Sequence, residues 1–166
     1  MYKIKLNADG TPGKYKVRLT AQGFGQRDGR DYHESHIYAP VLAYNTFRLI
    51  LAFIAAEDYD LQHLDVVTAF LNASVEEDIY MRVPEGVAAP PGTVCKLVKA
   101  LYGIKQAPFA WHADIAATLV STLGFKASSY DSCLFIKRSR TGRMLLFPLF
   151  VDDCFPANHI DDRQEM

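Results

Sequence analysis

The chain has 166 residues, 49% of them hydrophobic, with 18 Lys and Arg against 19 Asp and Glu. That is enough apolar material for one ordinary domain with a sizeable core, and it excludes disorder as the main state. No apolar run approaches the ~20 residues that span a bilayer, no signal-peptide pattern opens the chain, and three scattered cysteines fit neither a disulfide framework nor a zinc site.

The first elements are basic. Residues 1–30 carry seven Lys and Arg against Asp9 and Asp28, a balance of +5 that leaves −6 for the rest. Tyr2 to Leu6 and Lys14 to Leu19 alternate polar and apolar residues around a turn-rich Asn7 to Gly13, which predicts a hairpin with its cations on one face. Residues 22–29 are glycine-rich and irregular. Asn45 can cap a helix over about 46–58, where Phe47, Ile50, Leu51 and Ile54 recur at helical spacing. A strand over 61–67 follows, then an extended stretch over 79–83, a loop of Ala and Pro, and a strand over 94–101. Pro108 suits the first turn of a helix through Trp111, Ile115, Leu119 and Leu123, which Gly124 ends. Residues 133–137 and 144–151 read as two strands around Arg140-Thr141-Gly142. Strands and helices alternate without a βαβ rhythm, so the expected class is α+β.

Two places look chemically expensive. Asp152 and Asp153 close the apolar run Leu145-Leu146-Phe147-Pro148-Leu149-Phe150-Val151, and Asp65 sits in Leu61-Gln62-His63-Leu64-Asp65-Val66-Val67. Carboxylates ending apolar strands are costly unless a cation offsets them or hydrogen bonds satisfy them. A polar turn and a lone hydrogen-bonded acid account for each place separately. If the two strands pair in one sheet, they form instead the acidic cluster that two-metal phosphoryl transfer uses.

A run of further segments, in order over about residues 10–155, resembles the copia-type reverse transcriptases of LTR retrotransposons. Lys14-Tyr15-Lys16-Val17-Arg18-Leu19 with Gln22-Gly23-Phe24-Gly25-Gln26 is similar to their basic fingers segment, and Gly29 to Glu34 and Ala39-Pro40-Val41 continue it. Gln62 to Asn72 looks like the first catalytic motif. Glu77 to Met81, Pro84-Glu85-Gly86 and the signature Leu101-Tyr102-Gly103-Ile104-Lys105-Gln106-Ala107-Pro108 with Trp111 follow. Phe150-Val151-Asp152-Asp153 resembles the polymerase motif, where Tyr is commoner than Phe150. The resemblance implies an antiparallel palm sheet backed by two helices over residues 45–166, with a fingers hairpin and loop over residues 1–44. It implies RNA-directed DNA polymerase activity with two Mg²⁺ ions, or Mn²⁺, held by Asp65, Asp152 and Asp153. Lys16 and Arg18 would meet the triphosphate, and Phe70 the nucleotide sugar. Tyr102, Gly103 and Gln106 would lie along template and nucleotide, with Gly103 permitting close backbone approach. Implied partners are an RNA or DNA primer–template and dNTP, with no membrane. Thumb, integrase and ribonuclease H regions are expected elsewhere in the same polyprotein, in an intracellular setting (a cytoplasmic particle or the nucleus).

Other features point away from polymerisation or toward nothing. Pro148 and Pro156 are expected to interrupt the strands on either side of the carboxylates, and Phe109 stands where the family usually has a basic residue. An inactive transposon remnant, or a module that binds nucleic acid without chemistry, are the alternative readings. Residues 23–29 miss the spacing of a dinucleotide loop. His33 and His36 lack partners for a metal site, and Asp161-Asp162 reads as a solvated tail.

Overall fold

Eleven strands and three α-helices, all short, appear in the computed structural model, which describes residues 2–165. In chain order they are β1 (Tyr2–Leu6), β2 (Pro12–Val17), α1 (Tyr44–Ala56), β3 (Tyr59–Leu61), β4 (Leu64–Asp65), α2 (Ala69–Asn72), β5 (Tyr80–Arg82), β6 (Val94–Lys96), α3 (Ala107–Ala117), β7 (Lys126–Ala127), β8 (Leu134–Arg138), β9 (Met144–Phe150), β10 (Asp153–Cys154) and β11 (Ala157–His159). The named strand pairings are all antiparallel, so the class is α+β, as expected.

β9 organises the molecule. It pairs along one edge with β8, which carries β7, and along the other with β10 and β11. Those two segments pair in turn with β4 and β3. Leu145 and Leu149 pack with Leu119, Phe125 and Phe135 near the end of α3, whereas Leu146 packs with Ile50 and Ile54 of α1 and with Ala157. Successive strand residues face opposite sides, so α1 and α3 lie on opposite faces. The expectation of two helices behind one face therefore does not hold for these two. Burial on both faces is what an unbroken apolar run such as Leu145–Phe150 is suited to.

The prolines behave differently from expectation. β9 runs through buried Pro148 without a break. The gap falls in the neighbouring strand, at Phe155-Pro156 between β10 and β11, and again at Gln62-His63 between β3 and β4. Two chains with missing donors face each other at a place where the ladder is already open. Phe155 N–H donates to Pro148 O (2.9 Å) and Gln62 N–H to Pro156 O (2.9 Å), which closes the gap.

The helices keep their predicted places with altered ends. α1 starts at Tyr44, and Asn45 does not cap it; Ala43 N–H is tied instead to Asp131 Oδ2 (3.0 Å) in the loop before β8. Pro108 lies in the first turn of α3, which passes into a π-helical turn over Thr118–Thr122. Gly124 (φ +73°) then reverses the chain, and Phe125 N–H donates back to Leu119 O (2.9 Å). The strand expected over 94–101 is only three residues long, paired as a ribbon with β5. Asp162, read as solvated, is buried and accepts from Thr141 Oγ1 at 3.0 Å on both oxygens, while Asp161 pairs with Arg143. Among the described residues no helix is long and apolar enough to cross a membrane.

Candidate active site

The site begins where the central ladder ends. Asp153, the first residue of β10, is the direct cross-strand partner of Asp65 on β4. Asp152 lies in the turn between, and its carbonyl accepts from Val66 N–H (2.9 Å). The two carboxylate positions expected from sequence are therefore brought together on adjacent strands. Asp65 is exposed, and Asp152 and Asp153 are half-buried.

Strain marks the same spot. Val151 has φ +59° and Thr68, three residues after Asp65, has φ +53°. A β-branched residue in the left-handed region costs on the order of 1–3 kcal/mol and persists only where its surroundings hold it. Trp111 supplies that hold from α3, since its indole Nε1–H donates to Val151 O (2.6 Å). Thr68 hydroxyl donates to Val67 O (2.7 Å) at the start of α2. Like charges directly opposite on a ladder repel. Their field is visible on the next residue: burial first, and then the charges of Asp153 and Asp152, push the Cys154 thiol up to about 11.

Carboxylates alone suit a hard divalent cation, so the donor set fits the metal that the resemblance implies. Among the described residues, however, no three His, Cys, Asp or Glu side chains stand together as a ready metal cluster. The side chain of Asp153 is occupied elsewhere: His63 Nε2–H donates to its Oδ1 at 2.6 Å.

A second group approaches from the basic ribbon. Phe70 on α2 packs against Tyr102 (ring centroids 4.9 Å), and the Arg18 guanidinium lies 5.8 Å from the centre of the Tyr102 ring. Lys16 is two residues before Arg18, on the same face of the extended chain. Register places Lys3 opposite Lys16 and Lys5 opposite Lys14, so four lysines share that face and lead toward Arg18. Phe70 also lines an apolar cavity of about 360 Å³ with Tyr38, Pro40, Trp111 and Val151.

Gly103 and Gln106 both contact the loop over 21–31. Gly103 (φ +97°) does permit close approach, but by the protein's own chain: a Cβ there would lie 2.2 Å from Ala21 O, and one on Gly23 would lie 1.8 Å from Gly103 O. Ala21 N–H donates to Tyr102 O (2.7 Å) across the same contact. Gln106 is only 2% exposed. Its amide donates to Asp31 O (2.9 Å) and Glu77 Oε2 (3.2 Å) and accepts from Gln26 Nε2 (2.9 Å). Both residues lock the loop over 21–31 onto α3.

Several contacts were not foreseen from sequence. Gln26 Oε1 accepts from Lys105 N–H (2.8 Å), and the Lys105 ammonium sits on the Tyr32 ring (4.3 Å). His36 stacks on Phe109 (4.8 Å) and faces Glu77 (3.6 Å), so the unusual Phe109 has an aromatic partner. No local signal marks these contacts, which join residues up to 79 positions apart. His63 was discoverable: it stands two residues before Asp65, a spacing that shares a face along a strand.

Comparisons with known proteins agree with one another. A family model described as reverse transcriptase (RNA-dependent DNA polymerase) matches residues 1–162. The chain is 40% identical over 155 residues to the retrovirus-related Pol polyprotein from transposon TNT 1-94 of Nicotiana tabacum, covering 92% of this chain and 11% of that one. It is 40% identical over 156 residues to the Pol polyprotein from transposon RE1 of Arabidopsis thaliana, covering 92% and 10%. Against the transposon Ty1-BL Gag-Pol polyprotein of Saccharomyces cerevisiae the identity is 28% over 153 residues, covering 92% and 8%. The chain thus spans about a tenth of the length of these curated relatives. No solved structure matches it significantly.

Proposed function

The chain belongs to the copia-type reverse transcriptases, and on that footing we propose that it is an RNA-directed DNA polymerase core, extending a primer 3′-hydroxyl with deoxynucleoside triphosphates on an RNA or DNA template. Residues 45–166 act as the palm and residues 1–44 as the fingers. The observation that carries this reading is the cross-strand pairing of Asp65 with Asp153 beside Asp152. It lies at the end of a sheet whose strain and hydrogen bonds converge on that turn.

Asp65, Asp152 and Asp153 would hold two Mg²⁺ ions, or Mn²⁺, which when bound would supply positive charge for the phosphates and for the attacking primer hydroxyl. The remaining work falls to the chain's own groups. Lys16 and Arg18 draw in the triphosphate. Phe70, backed by Tyr102, lies against the sugar, where an aromatic ring leaves no room for a 2′-hydroxyl. Gly103 and Gln106 act one step back, fixing the loop that delivers Arg18. Trp111 holds the Val151 carbonyl so that Asp152 keeps its orientation.

Mg²⁺ titration of the purified chain tests this, with thermal stability read beside primer extension on a homopolymer template. Expected are a Mg²⁺-dependent rise in melting temperature that Asp65→Asn removes, and extension above an Asp152→Ala control. Absence of both would leave a folded, inactive remnant. The four-lysine face favours a second reading, a nucleic-acid-binding module without chemistry. That reading predicts salt-sensitive binding indifferent to Mg²⁺ and Asp65→Asn, and lost on neutralising Lys14, Lys16 and Arg18.

A further inference from the structure

His63 is pinned from two sides. Its ring stacks on Phe155 (centroids 4.9 Å, 8° between planes), and Phe155 packs on Phe47 of α1 (4.8 Å). Its Nε2–H donates to Asp153 Oδ1 at 2.6 Å. A carboxylate only accepts, so this bond fixes both the tautomer of the imidazole and the rotamer of Asp153. The geometry follows from the paired breaks in the ladder. Gln62-His63 and Phe155-Pro156 leave the regular strands opposite each other, which lets His63 lie over Phe155 and reach diagonally to Asp153.

Asp65 and Asp153 are register partners, yet the three carboxylates do not form a ready metal cluster among the described residues. The His63 bond is the contact that engages Asp153. We propose that His63 is a latch that withholds Asp153 from the metal site, so that a divalent cation meets Asp65 and Asp152 first and gains Asp153 only when the His63 bond is given up. This rests on the reading of the three aspartates as metal-holding groups. His63 acts through Asp153 and is a positioning residue.

Mn²⁺ binding to the full chain, followed by electron paramagnetic resonance of the free ion, tests the latch without relying on polymerisation. His63→Phe keeps an aromatic ring on Phe155 and removes the donor. It is expected to bind Mn²⁺ ~3–10-fold more tightly, a modest gain because the bond is charge-assisted but partly solvent-exposed. His63→Gln retains a donor and is expected to match the parent. The gain should vanish when His63→Phe is combined with Asp153→Asn, compared with Asp153→Asn alone. An unchanged or weaker affinity in His63→Phe overturns the latch, and so does an equal gain in His63→Gln, which would show that loss of the donor is not what frees Asp153. If parent and His63→Phe both fail to bind Mn²⁺, the metal-holding reading itself falls. If the parent binds through Asp65, as loss in Asp65→Asn would report, and His63→Phe shows no gain, only the latch falls.

Discussion

Two antiparallel regions of this protein are built from the same kind of pairing and differ in what surrounds them. The ribbon of β1 and β2 is exposed along nearly its whole length, with Tyr2 at 86% and Tyr15 at 70%. Its opposite face sets Lys3 against Lys16 and Lys5 against Lys14. β9 is flanked by strands on both edges and buried on both faces. A lone two-stranded hairpin is marginal in water, and like charges across a ladder weaken it further. Stability is therefore concentrated in the sheet that carries the carboxylates. The basic ribbon is anchored at its base, through Arg18, Ala21 and Tyr102, and is suited to meeting a polyanion.

Phe135→Ala, in the cluster beneath β9, should cost ~3–5 kcal/mol in urea unfolding, while Tyr15→Ala should stay within about 0.5 kcal/mol. A comparable loss from Tyr15→Ala would mean that the ribbon's apolar face is packed in solution. Next is the junction between the two regions. Gln106→Leu removes hydrogen bonds to half-buried groups of Gln26, Glu77 and Asp31 and should cost ~1–3 kcal/mol. Proteolytic cleavage within residues 22–31 should accelerate more than cleavage in the sheet; equal acceleration would deny the junction its local role.

Trp111→Phe keeps the apolar ring and removes the donor to Val151 O, for a loss of about 1–2 kcal/mol. It should also weaken Mn²⁺ binding, whereas a stability loss without that change would confine Trp111 to the core. The smallest effect carries opposite signs. Lys14→Glu places an opposite charge across from Lys5 and should stabilise the ribbon by ~0.2–1 kcal/mol. The same change should lower the slope of nucleic-acid affinity against salt by about one. An unchanged salt slope would mean that the lysine face is not a phosphate-binding surface.

Local residue patterns were enough for the ribbon and its lysine face, the helix opened by Pro108 and closed by Gly124, and the two apolar runs that carry the carboxylates. These are local properties: alternation, capping residues, and the cost of a charge beside a hydrophobic strand. The ordered motifs also carried the family. Tertiary structure alone decided that Pro148 would be tolerated, because the neighbouring strand opens where its donor is missing. It alone buried Gln106 and Asp162, set Gly103 against the backbone of Ala21, and tied Asp153 to His63. Each of these depends on what a distant segment brings to within a few ångströms, and hydrogen-bond satisfaction at that range leaves no trace in the spacing of residues along the chain.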